Sequence, residues 1–387
     1  MEKIKIAIPY IQSGNIWIGG INYINNLIEA LNCLPDRNIE LVILVTRKTI
    51  LTAKKLYPAN NVVDISLLIE NKVFIFLSKF FLKVLKKHLI LEIILKYFKI
   101  DVLTHYVPLG KKCSVKSVCW IPDFQHIHYP DYFSKREIEG RNKYFKDIID
   151  KSTTVILSSY SSKSDLKLFY PDNSCKTSIL SFVPVKAFNT KYVSLNFLED
   201  KYEFCGKYFL LPNQFWKHKN HKVVIEAIVE LRKRDKNILV ICTGNTEDYR
   251  DPTFFNEIKA LIEFYSITDN FRILGVIPYD HMISLMKYSV AVINPSLFEG
   301  WSTSVEEAKC LNKKIVLSNI PVHIEQIPKM SYFFSPTSFL DLANILELLC
   351  NEADNFEDED FDVSISKSKF LEFASSFESI LIEAATS

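Results

Sequence analysis

Glycine is scarce in this chain. It supplies nine of 387 residues, against an average near 7% in globular proteins, so each glycine inside a motif carries more information than usual. Paired cysteines are missing as well. The eight, at Cys33, Cys113, Cys119, Cys175, Cys205, Cys242, Cys310 and Cys350, form no CxxC pair and no His/Cys cluster at zinc spacing. That pattern fits free thiols in a reducing, cytoplasmic compartment. No uncharged apolar run approaches about 18 residues, so no membrane span is expected. The opening MEKIKIAIPY lacks the long apolar core of a signal peptide. Charge is nearly balanced, with 47 Lys and Arg against 45 Asp and Glu, which gives no general pull toward nucleic acid. What is present is a chain 48% hydrophobic and 24% charged, a composition that excludes bulk disorder. At roughly 150 residues per domain the length suits two domains.

Both halves alternate short apolar runs with helical periodicity, the pattern of parallel β-α units. In the first half, strands are expected at Ile4–Pro9, Glu40–Val45, Val102–His105, Ser117–Ile121 and Thr154–Ser158. The spacing Ile21, Ile24, Leu27, Ile28, Leu31 predicts a helix over Ile21–Leu34, after the loop Tyr10–Gly20. The pattern restarts with strands at Tyr208–Leu211, Ile238–Thr243, Phe271–Leu274, Val290–Ile293, Ile315–Leu317 and Tyr332–Phe334. Helices are expected at Lys222–Arg232, Phe254–Phe264 and Ser368–Ala384. Val183–Lys207 is polar and aperiodic and reads as a linker, and the acidic run Asn351–Asp362 reads as a solvated loop.

Phe74–Phe98 is strongly apolar with lysines inserted. Lys79, Lys83 and Lys87 recur every four residues, so a helix would align them on one stripe, opposite Phe74, Phe81, Leu85 and Ile94. Such a basic amphipathic segment suits an anionic membrane surface. The alternative is an ordinary helix with a solvated lysine face.

The most informative stretch is Ile293–Glu307, INPSLFEGWSTSVEE. A strand ends at Asn294-Pro295, a loop holds Gly300, and a helix begins near Ser304. Glu299 lies in that loop and Glu307 in the first turn of the helix. The unpaired backbone N–H groups of a helix N-terminus suit a phosphate. If Val305 and Ala308 pack inward, Glu307 faces a cleft and can accept both hydrogen bonds of a ribose diol. Ser304-x-x-Glu307 equally fits a capping box, in which Glu307 serves only its own helix.

This stretch resembles the E-x7-E element of the retaining GT-B glycosyltransferases of family 4 (group 1). Gly19-Gly20 before the first helix is similar to that family's N-terminal glycine loop. Trp120–Ser134 (WIPDFQHIHYPDYFS), Leu211–His221 (LPNQFWKHKNH) and Ser318–Gln326 (SNIPVHIEQ) resemble segments of bacterial cell-surface polysaccharide transferases. The motifs keep family order over residues 4–335.

The resemblance implies an α/β GT-B fold, two Rossmann-like domains facing a cleft. Residues 1–190 would form an N-terminal acceptor domain and 205–365 a nucleotide-sugar domain, with 366–387 a C-terminal helix crossing back to the first. It implies that Glu299 lies against hydroxyls of the transferred sugar. Asp123 matches the acid of a His-Asp pair whose histidine is replaced here by Pro122, and of the nearby His126 and His128, His126 is expected to face the sugar. The donor would be bound by Lys219 at its diphosphate, by Glu307 at its ribose and by Gly275 near its base. Gly300, Trp301, Ser302, Gly19, Gly20 and the Asn213 position complete the donor set. Many relatives carry an arginine where this chain has Asn213, so the second positive charge falls to another lysine or to backbone amides.

The resemblance also implies retaining hexosyl transfer from a UDP- or GDP-linked sugar to a saccharide or lipid-linked saccharide in surface polysaccharide (lipopolysaccharide) synthesis. The protein would work in the cytoplasm or at the inner face of the membrane. No cofactor and no metal is expected, since the nucleotide-sugar is a substrate. No DxD-type acidic pair sits in a loop suited to a metal, and Asp358-Glu359-Asp360 lies in the acidic run. Alternatives are a sugar-nucleotide 2-epimerase of the same fold, a non-catalytic partner protein on that fold, or a membrane-surface scaffold using Phe74–Phe98 alone. Two features would be superfluous without both donor chemistry and an acceptor side: the retained Glu299, Glu307 and Lys219, and the basic apolar segment.

Overall fold

The computed structural model describes residues 3–11, 18–85, 88–184, 187, 190–326, 328–352 and 363–387. Lys86, Lys87, loop residues 12–17, the linker positions 185–186 and 188–189, and the acidic residues from Asp354 to Asp362 lie outside these. The chain forms two compact units. One comprises Met1–Phe124, Arg136–Val183 and Ser368–Ser387; the other comprises Gln125–Lys135 and Pro184–Lys367.

The first unit holds a seven-stranded parallel sheet. Its strands are β1 (Ile4–Tyr10), β2 (Ile39–Val45), β3 (Asn61–Asp64), β4 (Val102–Thr104), β5 (Lys116–Ile121), β6 (Thr154–Leu157) and β7 (Thr177–Ile179). Their order is β3-β2-β1-β4-β5-β6-β7. The second unit holds a six-stranded parallel sheet of β8 (Phe209–Leu211), β9 (Val240–Thr243), β10 (Phe271–Gly275), β11 (Val292–Asn294), β12 (Ile315–Ser318) and β13 (Ser331–Phe334). Here the order is β10-β9-β8-β11-β12-β13. Both are doubly wound, with the strand order reversing between β1 and β4 and between β8 and β11. In such sheets the carboxyl ends of the strands at that switch point are where ligands bind.

Near-continuous apolar strands follow from burial on both faces. In the second sheet, Phe209, Leu211, Val240, Cys242 and Ile293 join one core with the helices His221–Lys233, Phe254–Phe264 and Phe339–Glu352. Their neighbours Leu210, Ile241, Val292 and Leu317 join the opposite core with Ile283, Met286, Val305 and Ala308. The period-2 alternation of a strand separates the two sets. In the first sheet Ala7, Val42, Leu44 and Leu103 pack with Leu91 and Leu95 of the helix Leu89–Tyr97.

Four local expectations change. The strands β3 and β7 were not anticipated. They are the short sheet edges, their residues mostly part-exposed, so they carry no strong apolar run. The polar stretch 183–207 contains the helix Leu195–Tyr202, capped by Ser194 Oγ accepting from Phe197 N and anchored by buried Leu198. Gly19 and Gly20 lie inside the first helix, which starts at Ile18, rather than before it. The helix expected near Ser304 is Thr303–Cys310, which places Glu307 fifth in it, past the first turn.

Candidate active site

The second unit gathers most of the expected site residues at the β8/β11 switch point. Asn294, at the end of β11, is fully buried. Its Oδ1 accepts from Asn213 Nδ2 (3.1 Å) and Ser296 Oγ (2.7 Å), and its Nδ2 donates to Ser302 Oγ (2.8 Å). One side chain therefore joins the loop after β8, the loop after β11 and the start of the helix Thr303–Cys310. Asn213 itself is buried and turned into this hub, so its side chain braces the loop and does not stand in for a phosphate-binding arginine.

That loop next runs through a tight turn at Lys217–Lys219. Asn220 follows in the left-handed conformation, φ 55°, which asparagine tolerates better than most residues. Its Nδ2 donates to the carbonyls of Pro295 (3.1 Å) and Pro336 (2.9 Å), and Leu297 N donates to His218 O (2.8 Å). These clamps hold Lys219 beside the Glu299 loop. Lys219 Nζ donates to Glu299 Oε1 at 2.5 Å, and Ser296 Oγ donates to the same oxygen at 2.6 Å. The pair is mostly buried, at 16% and 9% side-chain exposure. A charge-assisted contact with little water to screen it fixes both head groups.

Behind the pair stands His323, which is buried. Its Nδ1 lies 3.0 Å from Ser318 O, and its Nε2 has no hydrogen-bond partner among the described residues. Burial holds its pKa down at about 4, against the opposing pull of the Glu299 carboxylate. The ring is thus neutral, with Nδ1–H donated to the carbonyl.

Glu307 does not cap its helix. Ser302 occupies the N-cap, and Tyr279 OH donates to Glu307 Oε1 at 2.9 Å. Its inward neighbours Val305 and Ala308 are fully buried, as the spacing predicts. Burial pushes the Glu307 carboxyl up to about 7, against the pull of the Tyr279 hydroxyl. The adjacent Glu306 is a tether, bound by Lys309 Nζ (2.9 Å) and Gln326 Nε2 (2.8 Å). Gln326 also holds both backbone groups of Ser302, so Ser302 shapes the turn. Gly300 and Trp301, in the same turn, are half-buried.

Gly275 ends β10 at φ +67°, with open space where a Cβ would stand, and its carbonyl accepts from Gly244 N (2.8 Å). Gly244, after β9, is at φ +130°, and a Cβ there would meet Asn213 O at 2.7 Å. The backbones of three strand ends thus close on one another.

His126 is fully buried in the short helix Gln125–His128, its ring 6.4 Å from Phe133. The exposed His128 instead lies 5.2 Å from the Phe298 ring, and Tyr129 OH donates to Leu297 O (3.2 Å). The histidine bordering the Glu299 loop is therefore His128. Arg250 is neutralised by Asp248 at 3.0 Å and stacks 4.5 Å from Trp216. Asp123, Gly19 and Gly20 belong to the first unit. Asn294, Gly244, His323 and Tyr279 were not singled out in the sequence. The one local signal was polarity where burial was expected: an asparagine closing an apolar strand, and a rare glycine after another.

Residues 205–359 match the family described as glycosyl transferases group 1. The chain is 23% identical over 243 residues to the O-antigen chain mannosyltransferase RfbU of Salmonella typhimurium. That match covers 60% of this chain and 59% of RfbU, under two thirds of the relative's length. Among solved structures, a glycosyltransferase from Rickettsia africae aligns with TM-score 0.70 at 16% identity, covering 99% of both chains. Anabaena HepE in complex with UDP-glucose aligns with TM-score 0.65 at 14% identity, over 96% of this chain and all of that one. At these identities the likeness establishes the fold, two parallel-sheet Rossmann-like halves of the GT-B kind.

Proposed function

We propose that this chain is a group 1 glycosyltransferase of surface polysaccharide synthesis. It moves a hexose from a UDP- or GDP-linked donor to a saccharide or lipid-linked saccharide, with retention at the anomeric carbon. The observation that carries this reading is the Lys219–Glu299 pair at the carboxyl edge of the second sheet's switch point, with Glu307 on the helix that follows. Lys219 neutralises the charge that grows on the departing diphosphate. Glu299, oriented by Ser296, receives hydroxyls of the transferred sugar, whose positive character rises as its bond to the phosphate breaks. Glu307 presents a carboxylate, steadied by Tyr279, to the two ribose hydroxyls. No metal is required in this scheme, because a fixed lysine takes the leaving-group charge.

The test is a panel of UDP-, GDP- and dTDP-linked sugars with saccharide acceptors, read by the anomeric coupling constant of the product. An α-linked donor is expected to give an α-linked product. A β product would overturn retention, and donor turnover without an acceptor product would favour epimerase chemistry.

Glu307 makes a second expectation. Glu307→Ala is expected to weaken nucleotide binding by about 1.5–3 kcal/mol. The ionised carboxylate accepts from both ribose hydroxyls, and more strongly than the neutral carboxyl, one of whose oxygens becomes a donor; burial holds that carboxyl up at about 7. Donor affinity should therefore rise between about pH 6 and pH 8, and the rise should vanish in Glu307→Gln. Without ligand the sign reverses. The raised carboxyl favours the folded state at low pH, and this contribution is lost as pH rises from 4.5 through about 7. Isothermal titration at several pH values measures the first effect and thermal melts the second. Unchanged affinity in both variants would return Glu307 to a structural role.

A further inference from the structure

The helix Lys72–Leu85 is unusual for a domain helix. Of its residues Lys72–Val84, nine are Val, Phe, Ile or Leu, three are Lys, one is Ser, and none is Asp or Glu. Yet none of these thirteen is buried. The most exposed are Phe76 at 69%, Val73 at 64%, Val84 at 59% and Phe80 at 49%.

Their arrangement is ordered. At about 100° per residue, Val73, Phe76, Leu77, Phe80 and Val84 fall within one arc of about 100°. Lys72, Lys79 and Lys83 occupy the adjoining arc of about 40°. The half-buried Ile75, Ser78, Phe81 and Leu82 lie on the opposite side. The helix therefore attaches to its unit by one apolar face and turns a second apolar stripe, edged with lysines, to solvent. Phe74 and Phe81 do stand opposite Lys79 and Lys83, as the spacing predicts, while Ile94 lies on the next helix, Leu89–Tyr97; the outward apolar stripe is a different one, which the lysines border. Phe81 belongs to the attached face.

We propose that this outward stripe docks on the surface of an anionic lipid bilayer, with Phe76 and Phe80 entering the acyl boundary and Lys79 and Lys83 at the phosphates. A stripe of five large apolar side chains in water is costly, and soluble surfaces seldom keep one without a use. The lysine border selects the occupant. A second copy meeting through this helix would bring like charges together, with no carboxylate on the helix to pair them. Anionic headgroups supply the opposite sign, and the stripe matches the depth of roughly 5–10 Å at which interfacial helices sit. Among the described residues no helix is long and apolar enough to cross a membrane, so docking would be by this face and not by a span.

The experiment is co-sedimentation of the full chain, without donor or acceptor, with vesicles of phosphatidylcholine alone or mixed with phosphatidylglycerol, at low and high salt. Wild type is expected to pellet with the anionic vesicles and to be released as salt rises. Lys79→Glu/Lys83→Glu should lower the partition coefficient by about 30-fold or more, at about 1 kcal/mol for each lysine lost. Phe76→Ser/Phe80→Ser should also release the protein at low salt, which a purely electrostatic attachment would not do. Both pairs are exposed, so melting temperatures should stay at the wild-type value. Equal pelleting of all three proteins, no pelleting of wild type, or a solution dimer that Phe76→Ser/Phe80→Ser dissociates would overturn the proposal. None of these readouts depends on transferase activity, so they stand apart from the anomeric test.

Discussion

Lys219→Ala is expected to lower kcat by about 10²–10³-fold, with a smaller rise in KM for the donor. The ammonium is clamped by the Asn220 turn and held 2.5 Å from Glu299 Oε1, so it is positioned before any donor arrives and needs little reorganisation when charge moves onto the diphosphate. A group whose partner gains charge during the reaction stabilises the transition state more than the ground state, which places its loss in kcat. Removing the lysine also leaves Glu299, 9% exposed, without a counter-charge, which raises its cost in the folded state. Glu299→Gln is therefore the informative companion. If the two side chains serve one event, the double variant should lose little beyond the worse single variant. Steady-state kinetics on the four proteins decides this. Activity of Lys219→Ala within about twofold of wild type would remove Lys219 from the reaction.

Gly244→Ala is expected to destabilise the second unit by about 3 kcal/mol or more. At φ +130° the position lies where L side chains rarely go. The added Cβ would stand 2.7 Å from Asn213 O and 2.9 Å from Gln214 N, which are backbone atoms of the loop leading to Lys219. Relief requires that loop to move, so donor binding should fall along with stability. Gly275→Ala is the control. It also has positive φ, at +67°, but nothing within 4 Å of its Cβ, and should cost only about 1–2 kcal/mol. Denaturant melts of the two variants separate backbone strain from collision. Equal stability of the pair would show that the loops after β8 and β9 do not press on each other as described.

Local physics decided much of this protein before any tertiary contact. Ile6, Leu210 and Ile241 sit in strands covered on both faces, so their runs are apolar without interruption and legible one at a time. The loop-to-helix transition at Gly300–Thr303, and Glu307 beyond inward-facing Val305 and Ala308, follow from helical spacing over a few residues. The edge strands β3 and β7 escaped because half-covered strands need no apolar run, and the helix Leu195–Tyr202 escaped because only Leu198 of its side chains is buried.

The contacts that make the site were of another kind. Asn213 meets Asn294 across 81 positions, Lys219 meets Glu299 across 80, and Tyr279 meets Glu307 across 28. Each depends on which strands become neighbours, and the reversal of order between β8 and β11 has no local signature. The same holds for the helix Lys72–Leu85. Its composition announced an amphipathic segment, but which of its apolar faces met the unit and which met water was settled only by the packing of its neighbours. Periodicity specifies the angles between side chains on one helix; only the surface it lands on chooses the side that is covered.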